Sequence, residues 1–287
     1  MSDEKVLTIK ETFDLAVQNH QNNNLQDAQN YFQKVLALDP NFTNAHNNLG
    51  VVFQGLGENQ KAKECFEKAI EIDPNFADVH YNLGVIFKES EENQKAKDCY
   101  EKTIEIDPNY VNAHYNLGII FYGFGEHQKA KDCYKKAIEI NSNHANAHNN
   151  LGAIFKELGE NQKAKECYEK AIEIDPNYVN AYNNLGVIFK ELEEHQKAIG
   201  CYEKAIEIDP NFADVHYNLG NIFRELGKIQ KAKECYEKAI EIDPLNKKSQ
   251  AAYGRILLIL NDKLKAYEYL QKGQGVIKFT PSNYKII

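Results

Sequence analysis

Six cysteines, Cys65, Cys99, Cys133, Cys167, Cys201 and Cys235, follow one another at a constant spacing of 34 residues. Six of the seven prolines keep the same ruler, Pro40, Pro74, Pro108, Pro176, Pro210 and Pro244, with one beat missed at Ser142. Eight units of 34 fill the 287-residue chain between eight leading and seven trailing residues. A period sustained this far means stacked copies of one supersecondary unit, which excludes an ordinary single-core enzyme fold.

The unit from Thr43 to Phe76 reads as two helices. His46, Leu49, Gly50 and Phe53 recur at helical spacing and define helix A, which Gly57 ends by supplying a left-handed residue. Ala62, Phe66, Ala69 and Ile70 share one face of helix B, with Lys63–Glu67 and Glu64–Lys68 as i,i+4 pairs outside. Asp73-Pro74 stops helix B, and Asn75 with Asp78 three residues on reads as the start signal of the next helix A. Gly50 and Ala62 let the helices approach while Leu49, Phe53 and Phe66 fill the space between them. One pair cannot bury that face alone, so neighbouring units must complete the core.

Leucine, glycine, aromatic, alanine, aromatic, alanine and proline at these offsets resemble the tetratricopeptide repeat. The Leu-Gly pair recurs as Leu83-Gly84, Leu117-Gly118, Leu151-Gly152, Leu185-Gly186 and Leu219-Gly220. The resemblance implies an all-α, right-handed α-solenoid of about eight antiparallel helix pairs. Its parts are a lead at 1–8, a divergent repeat at 9–42, six regular repeats at 43–246, a divergent repeat at 247–280 and a tail at 281–287. Within this pattern Glu91 and Glu193 replace the interhelical glycine, at an expected penalty of about 1 kcal/mol each or a shifted turn.

In such arrays helix A lines the concave surface, and ligand contacts resemble a stripe along it. The residue before each leucine is Asn48, Asn82, Asn116, Asn150, Asn184 and Asn218. Each amide offers donors and an acceptor, so it suits a peptide group whatever side chain that peptide carries. At about 10 Å per repeat the row would meet roughly every third residue of a strand rising about 3.3 Å per residue. The row is similar to the asparagine ladder in the repeat arm of O-linked N-acetylglucosamine transferase, which implies a peptide-holding role. The alternative is that these asparagines satisfy helix termini or the adjoining helix A, or persist through duplication, since units 145–178 and 213–246 are nearly alike. Asn44, Asp78, Asn112, Asn146, Asn180 and Asp214 form a second candidate row, and Asn47, Tyr81, Tyr115, Asn149, Asn183 and Tyr217 a third.

Other functions are disfavoured. No lysine or arginine stands on these rows in the central units, which opposes a carboxylate clamp of the co-chaperone kind. Lys88, Lys156, Lys190 and Arg224 lie about a turn and a half further along helix A. A net charge of −8 with mixed signs opposes a nucleic-acid footprint. His46, His80, His114, His148 and His216 occupy a packing position 34 residues apart, and the cysteines have no close partner, so neither set reads as a metal site, and no cofactor is expected. No nucleophile elbow, HExxH or phosphate loop is present, so the chain is not expected to be an enzyme. The expected function is a scaffold or adaptor for a protein partner presenting an extended peptide. A glycosyltransferase's substrate-selecting arm without its catalytic domain is the alternative. No membrane span and no signal peptide are read, which places the chain in the cytoplasm, with the nucleus as the alternative. The apolar Ile256–Leu260 segment has no polar helix after it. Either the tail folds back over the last helix, or the end face self-associates.

Overall fold

The computed structural model describes residues 8–274 together with the backbone of 277–280 and 283–286; residues 1–7 of the lead at 1–8 lie outside the described residues. The chain divides into two compact units, Met1–Ser142 and Asn143–Ile287, and the division coincides with the one junction between successive repeats that lacks proline.

The first unit is four antiparallel helix pairs, α1 (Ile9–Gln21) with α2 (Leu25–Leu38), α3 (Thr43–Gly55) with α4 (Asn59–Ile72), α5 (Ala77–Glu89) with α6 (Asn93–Ile106), and α7 (Val111–Gly123) with α8 (His127–Ile140). In the second, α9 (Ala145–Glu157) pairs with α10 (Asn161–Ile174), α11 (Val179–Glu191) with α12 (His195–Ile208), α13 (Ala213–Glu225) with α14 (Ile229–Ile242), and α15 (Lys247–Ile259) with α16 (Lys263–Gln274). Within each unit every pair packs on the next, which is the expected all-α repeat architecture. One addition is a two-stranded antiparallel hairpin, β1 (Ile277–Thr280) and β2 (Asn283–Ile286), whose pairing of Thr280 with Asn283 straddles the expected boundary at 280/281. The two readings of the tail rest on side chains outside the described residues.

Each of the six regular pairs is built around one glycine and one ring. A Cβ on Gly118 would lie 2.6 Å from Cε1 of Tyr134, and on Gly186 the same distance from Cε1 of Tyr202. The missing side chain is therefore the socket into which the helix B aromatic inserts. Tyr100, Tyr134, Tyr168, Tyr202 and Tyr236 are all fully buried there, each contributing on the order of 2 kcal/mol of apolar burial. Behind the ring, Ala62, Ala96, Ala130, Ala164, Ala198 and Ala232 are wholly buried where helix B meets helix A. A lysine at the start of each regular helix B covers the helix A phenylalanine, as Lys129 does over Phe121 at 5.2 Å and Lys197 over Phe189 at 5.4 Å. The same lysines pair with the glutamate three residues earlier, Glu126 and Glu194.

The turns correct two local readings. Asn75 is not a helix cap: the Asp73 carboxylate accepts from the Asn75 backbone N–H at 3.0 Å, and α5 starts only at Ala77. Asn41, Asn109, Asn177 and Asn211 repeat that bond to Asp39, Asp107, Asp175 and Asp209. Aspartate before proline thus organises the turn, and its extended backbone is one that a following proline favours. Lys68 turns to Glu71 at 2.8 Å, and Glu64 instead accepts from Gln60, whereas Lys63–Glu67 stands as expected at 3.8 Å.

The cysteines are half-buried on helix B. Burial, reinforced by neighbouring carboxylates, pushes the thiols of Cys65, Cys99, Cys201 and Cys235 up to about 11 and that of Cys133 to about 12. Their thiolate fraction at pH 8 is then roughly a hundredfold below that of an unfolded cysteine. Ellman's reagent at pH 8 is expected to titrate these thiols slowly in the native protein and within seconds in denaturant. Equally fast native labelling would contradict the packing role.

Candidate functional site

Helix A of every regular repeat carries the three candidate rows, and the structure sorts them by burial. Asn44, Asp78, Asn112, Asn146, Asn180 and Asp214 are exposed in the first helical turn. Asn48, Asn82, Asn116, Asn150, Asn184 and Asn218 are half-buried. In the third row Asn47 and Asn149 are buried, whereas Tyr81, Tyr115, Asn183 and Tyr217 are half-buried.

The asparagine row is tied across repeats at a constant offset. The side-chain amide of Asn82 donates to Asn47 Oδ1 at 3.0 Å, Asn184 to Asn149 Oδ1 at 3.0 Å and Asn218 to Asn183 Oδ1 at 2.9 Å. Asn116 makes the same bond to the Tyr81 hydroxyl at 3.2 Å. Asn47 and Asn149 in turn donate to Asn48 and Asn150, at 3.3 and 3.2 Å. The partner is thus the third row of the preceding helix A, a side chain and not its backbone. An amide has two N–H donors and an oxygen with two lone pairs, so one such bond fixes its plane and leaves a donor and acceptor capacity for a ligand. Asp78 in the first row accepts from the Tyr110 hydroxyl at 2.9 Å, which turns its carboxylate toward the inter-repeat turn.

A second ladder runs near the C-terminal end of helix A. Gln54 donates to Glu89 at 3.3 Å, Lys156 pairs with Glu191 at 3.7 Å and Lys190 with Glu225 at 3.1 Å, each contact joining one repeat to the next. Lys88 departs from the series. The position opposite it holds Gly123, and the ammonium reaches Asn116 Oδ1 instead, at 3.3 Å. Along the sequence these basic residues stand apart from the asparagine row; across the repeat junction Lys88 joins it.

The histidine row also has a role that spacing alone did not show. His46, His80, His114 and His216 each place Nε2 2.8–2.9 Å from the carbonyl of the proline six residues earlier, Pro40, Pro74, Pro108 and Pro210. Nε2–H must donate, because a carbonyl only accepts. In the last repeat Gln250 makes the equivalent bond to Pro244 at 2.6 Å. These residues therefore staple helix A to the turn that precedes it. A constant offset of six between each proline and its histidine was the available signal. His144, in the turn without proline, instead caps α9 by accepting from the Ala147 N–H at 3.2 Å, and burial holds its pKa below the usual histidine value.

Among the described residues no group of histidine, cysteine and carboxylate side chains could hold a metal ion, and no helix is long and apolar enough to cross a membrane.

Comparison with known proteins gives a consistent result. Profiles described as tetratricopeptide repeat match residues 43–76, 75–143, 112–177, 143–211 and 213–246, and a Sel1 repeat profile matches 251–273. None of the curated proteins matches the chain. Among solved structures, pilF of Pseudomonas aeruginosa superposes with a TM-score of 0.62 at 22% identity, over 67% of this chain and 88% of its own. YrrB, described as a TPR protein with an unusual peptide-binding site, gives 0.55 at 26% identity, over 65% and 96%. Cut9-Hcn1, from the APC/C hetero-tetramer, gives 0.65 at 19% identity, over 87% and 49%. The family profiles together run without a break of more than one residue from 43 to 246, the stretch in which the glycine sockets, asparagine bonds and histidine staples recur. The chain belongs to the tetratricopeptide repeat family.

Proposed function

We propose that the chain is a non-enzymatic scaffold that holds an extended segment of a partner protein along the helix A rows, with the asparagine row gripping its backbone. The observation that carries this reading is the set of cross-repeat amide bonds. Asn82, Asn184 and Asn218 each spend one N–H on the preceding repeat, so their orientation is fixed before any ligand arrives and less side-chain entropy is lost on binding. The exposed first row and the tyrosines of the third row, Tyr81, Tyr115 and Tyr217, flank that line with more varied chemistry, where selectivity would reside. The likeness to YrrB and its peptide-binding site supports the same reading. The reading as a glycosyltransferase arm rests on the asparagine row alone.

Selection of a displayed random dodecapeptide library on the full chain, followed by anisotropy with an enriched peptide, tests the proposal. Replacing Asn82, Asn184 and Asn218 together by alanine is expected to weaken binding at least tenfold, about 1.4 kcal/mol. Undiminished affinity in a triple variant that keeps its helical circular dichroism would refute the groove.

A further inference from the structure

The second ladder contains a gap at Gly123. Where a lysine of one repeat has a glutamate opposite it in the next, the two pair, as in Lys156–Glu191 and Lys190–Glu225. Lys88 stands at the same repeat position, but the residue 35 further on is Gly123, and none of the ion pairs among the described residues involves Lys88. A Cβ at Gly123 would meet nothing within 4 Å, so the place taken by glutamate elsewhere is open space here. Burial lowers the Lys88 pKa, and the adjoining Glu89 opposes that shift only in part. Its hydrogen-bond partner is Asn116, an amide of the ligand-facing row that is itself held by Tyr81.

We propose that Lys88, with Asn116 beside it, binds a side-chain carboxylate, aspartate or glutamate, of the peptide held along these rows. This rests on the peptide-holding reading and adds the chemistry of one residue to it. The bound carboxylate occupies the space of the missing glutamate and accepts from the Lys88 ammonium, a charge-assisted hydrogen bond of the kind the neighbouring repeats satisfy internally. One acidic residue of the ligand is thereby fixed to the junction of the α5–α6 and α7–α8 pairs. That sets the register of a chain which the asparagines alone would hold at any position.

The test uses the full chain and a random dodecapeptide library fused through its C-terminus, so that only side-chain carboxylates are offered. Selection on the wild type is expected to enrich aspartate or glutamate at one fixed position. Gly123→Glu supplies the internal partner and closes the gap; it is expected to abolish that enrichment and to weaken the selected peptide at least tenfold, while leaving the melting temperature unchanged or higher. Lys88→Gln, which removes the charge and keeps a hydrogen-bond donor, is expected to lose the same preference. Peptides enriched without an acidic position, or an acidic preference that survives in Gly123→Glu, would overturn the assignment while leaving the groove intact. Absence of any enriched peptide would overturn the groove itself and the anchor with it.

Discussion

Gly186→Ala is expected to destabilise the folded chain by about 2 kcal/mol, although alanine is the better helix former. The added Cβ lies 2.6 Å from Cε1 and 2.9 Å from Cδ1 and Cζ of Tyr202, whose ring is fully buried and has nowhere to turn. Overpacking of this kind costs about 1–3 kcal/mol, and contact with a rigid ring places it at the upper end. Helix propensity returns at most about 1 kcal/mol of that. Gly123→Ala is the control, because it adds the same methyl to a helix with nothing within 4 Å; there the propensity gain is expected alone, about 0.5 kcal/mol of stabilisation. Urea denaturation followed by circular dichroism reads both changes as midpoint shifts of opposite sign. Removing the ring first, in a Tyr202→Ala background, is expected to erase most of the Gly186→Ala penalty, since the two residues form one contact. A penalty unchanged in that background would mean that the glycine serves backbone freedom and not the socket.

The same contact shows how far the sequence could be read. Gly50 and Phe66 share a unit and a helical phase, so their meeting follows from 34-residue arithmetic and two helix periods. The left-handed position was legible for the same reason: Gly57, Gly125, Gly159 and Gly227 all have φ between 70° and 76°. In the divergent end repeats the motif is blurred, and Asn23 at φ 60° and Asn261 at φ 64° were not recognised as the equivalent residues. Asparagine serves there because its short polar side chain tolerates that conformation.

What stayed hidden depends on geometry between units. Pro74 and His80 are six residues apart, a separation that neither a helix nor a strand brings together; only the fold of the turn does. The bonds from Asn82 to Asn47 and from Asn116 to Tyr81 depend on the stagger of one helix A against the next, which places each residue opposite the one 35 earlier and not 34. Lys88 was set aside for the same reason. Along its own helix it lies a turn and a half beyond Asn82, yet across the junction it touches Asn116. Aligning the repeats and asking which internal pair each lacks would have singled out Gly123.

Glu91 and Glu193 hold the other large reserve of stability. Both have φ of 60°, at the place where four repeats use glycine. The turn closes identically in both cases, with Glu58 N–H donating to Phe53 carbonyl and Glu92 N–H to Phe87 carbonyl, each at 2.8 Å, so the fold imposes the left-handed residue and the glutamates comply. Neither side chain makes a hydrogen bond or ion pair among those described, so replacing it removes no contact. An L-residue there costs about 1–2 kcal/mol, and glycine gives back about 0.4–1 kcal/mol through the greater freedom of its unfolded chain. Each Glu→Gly change should therefore stabilise by about 0.5–1 kcal/mol. The two sites lie in different units and share no partner, so the double variant should gain about 1–2 kcal/mol by addition, a rise of a few degrees in melting temperature. Charge is the competing explanation, because the double change also removes two negative charges from an acidic chain. Glu91→Gln with Glu193→Gln removes the same charges and keeps the strained backbone, so it is expected to leave the melting temperature where it was. Asparagine at both positions, as in the end repeats, should fall between the two. If the glutamine pair stabilises as much as the glycine pair, the gain is electrostatic and the left-handed turn is not where this chain holds its strain.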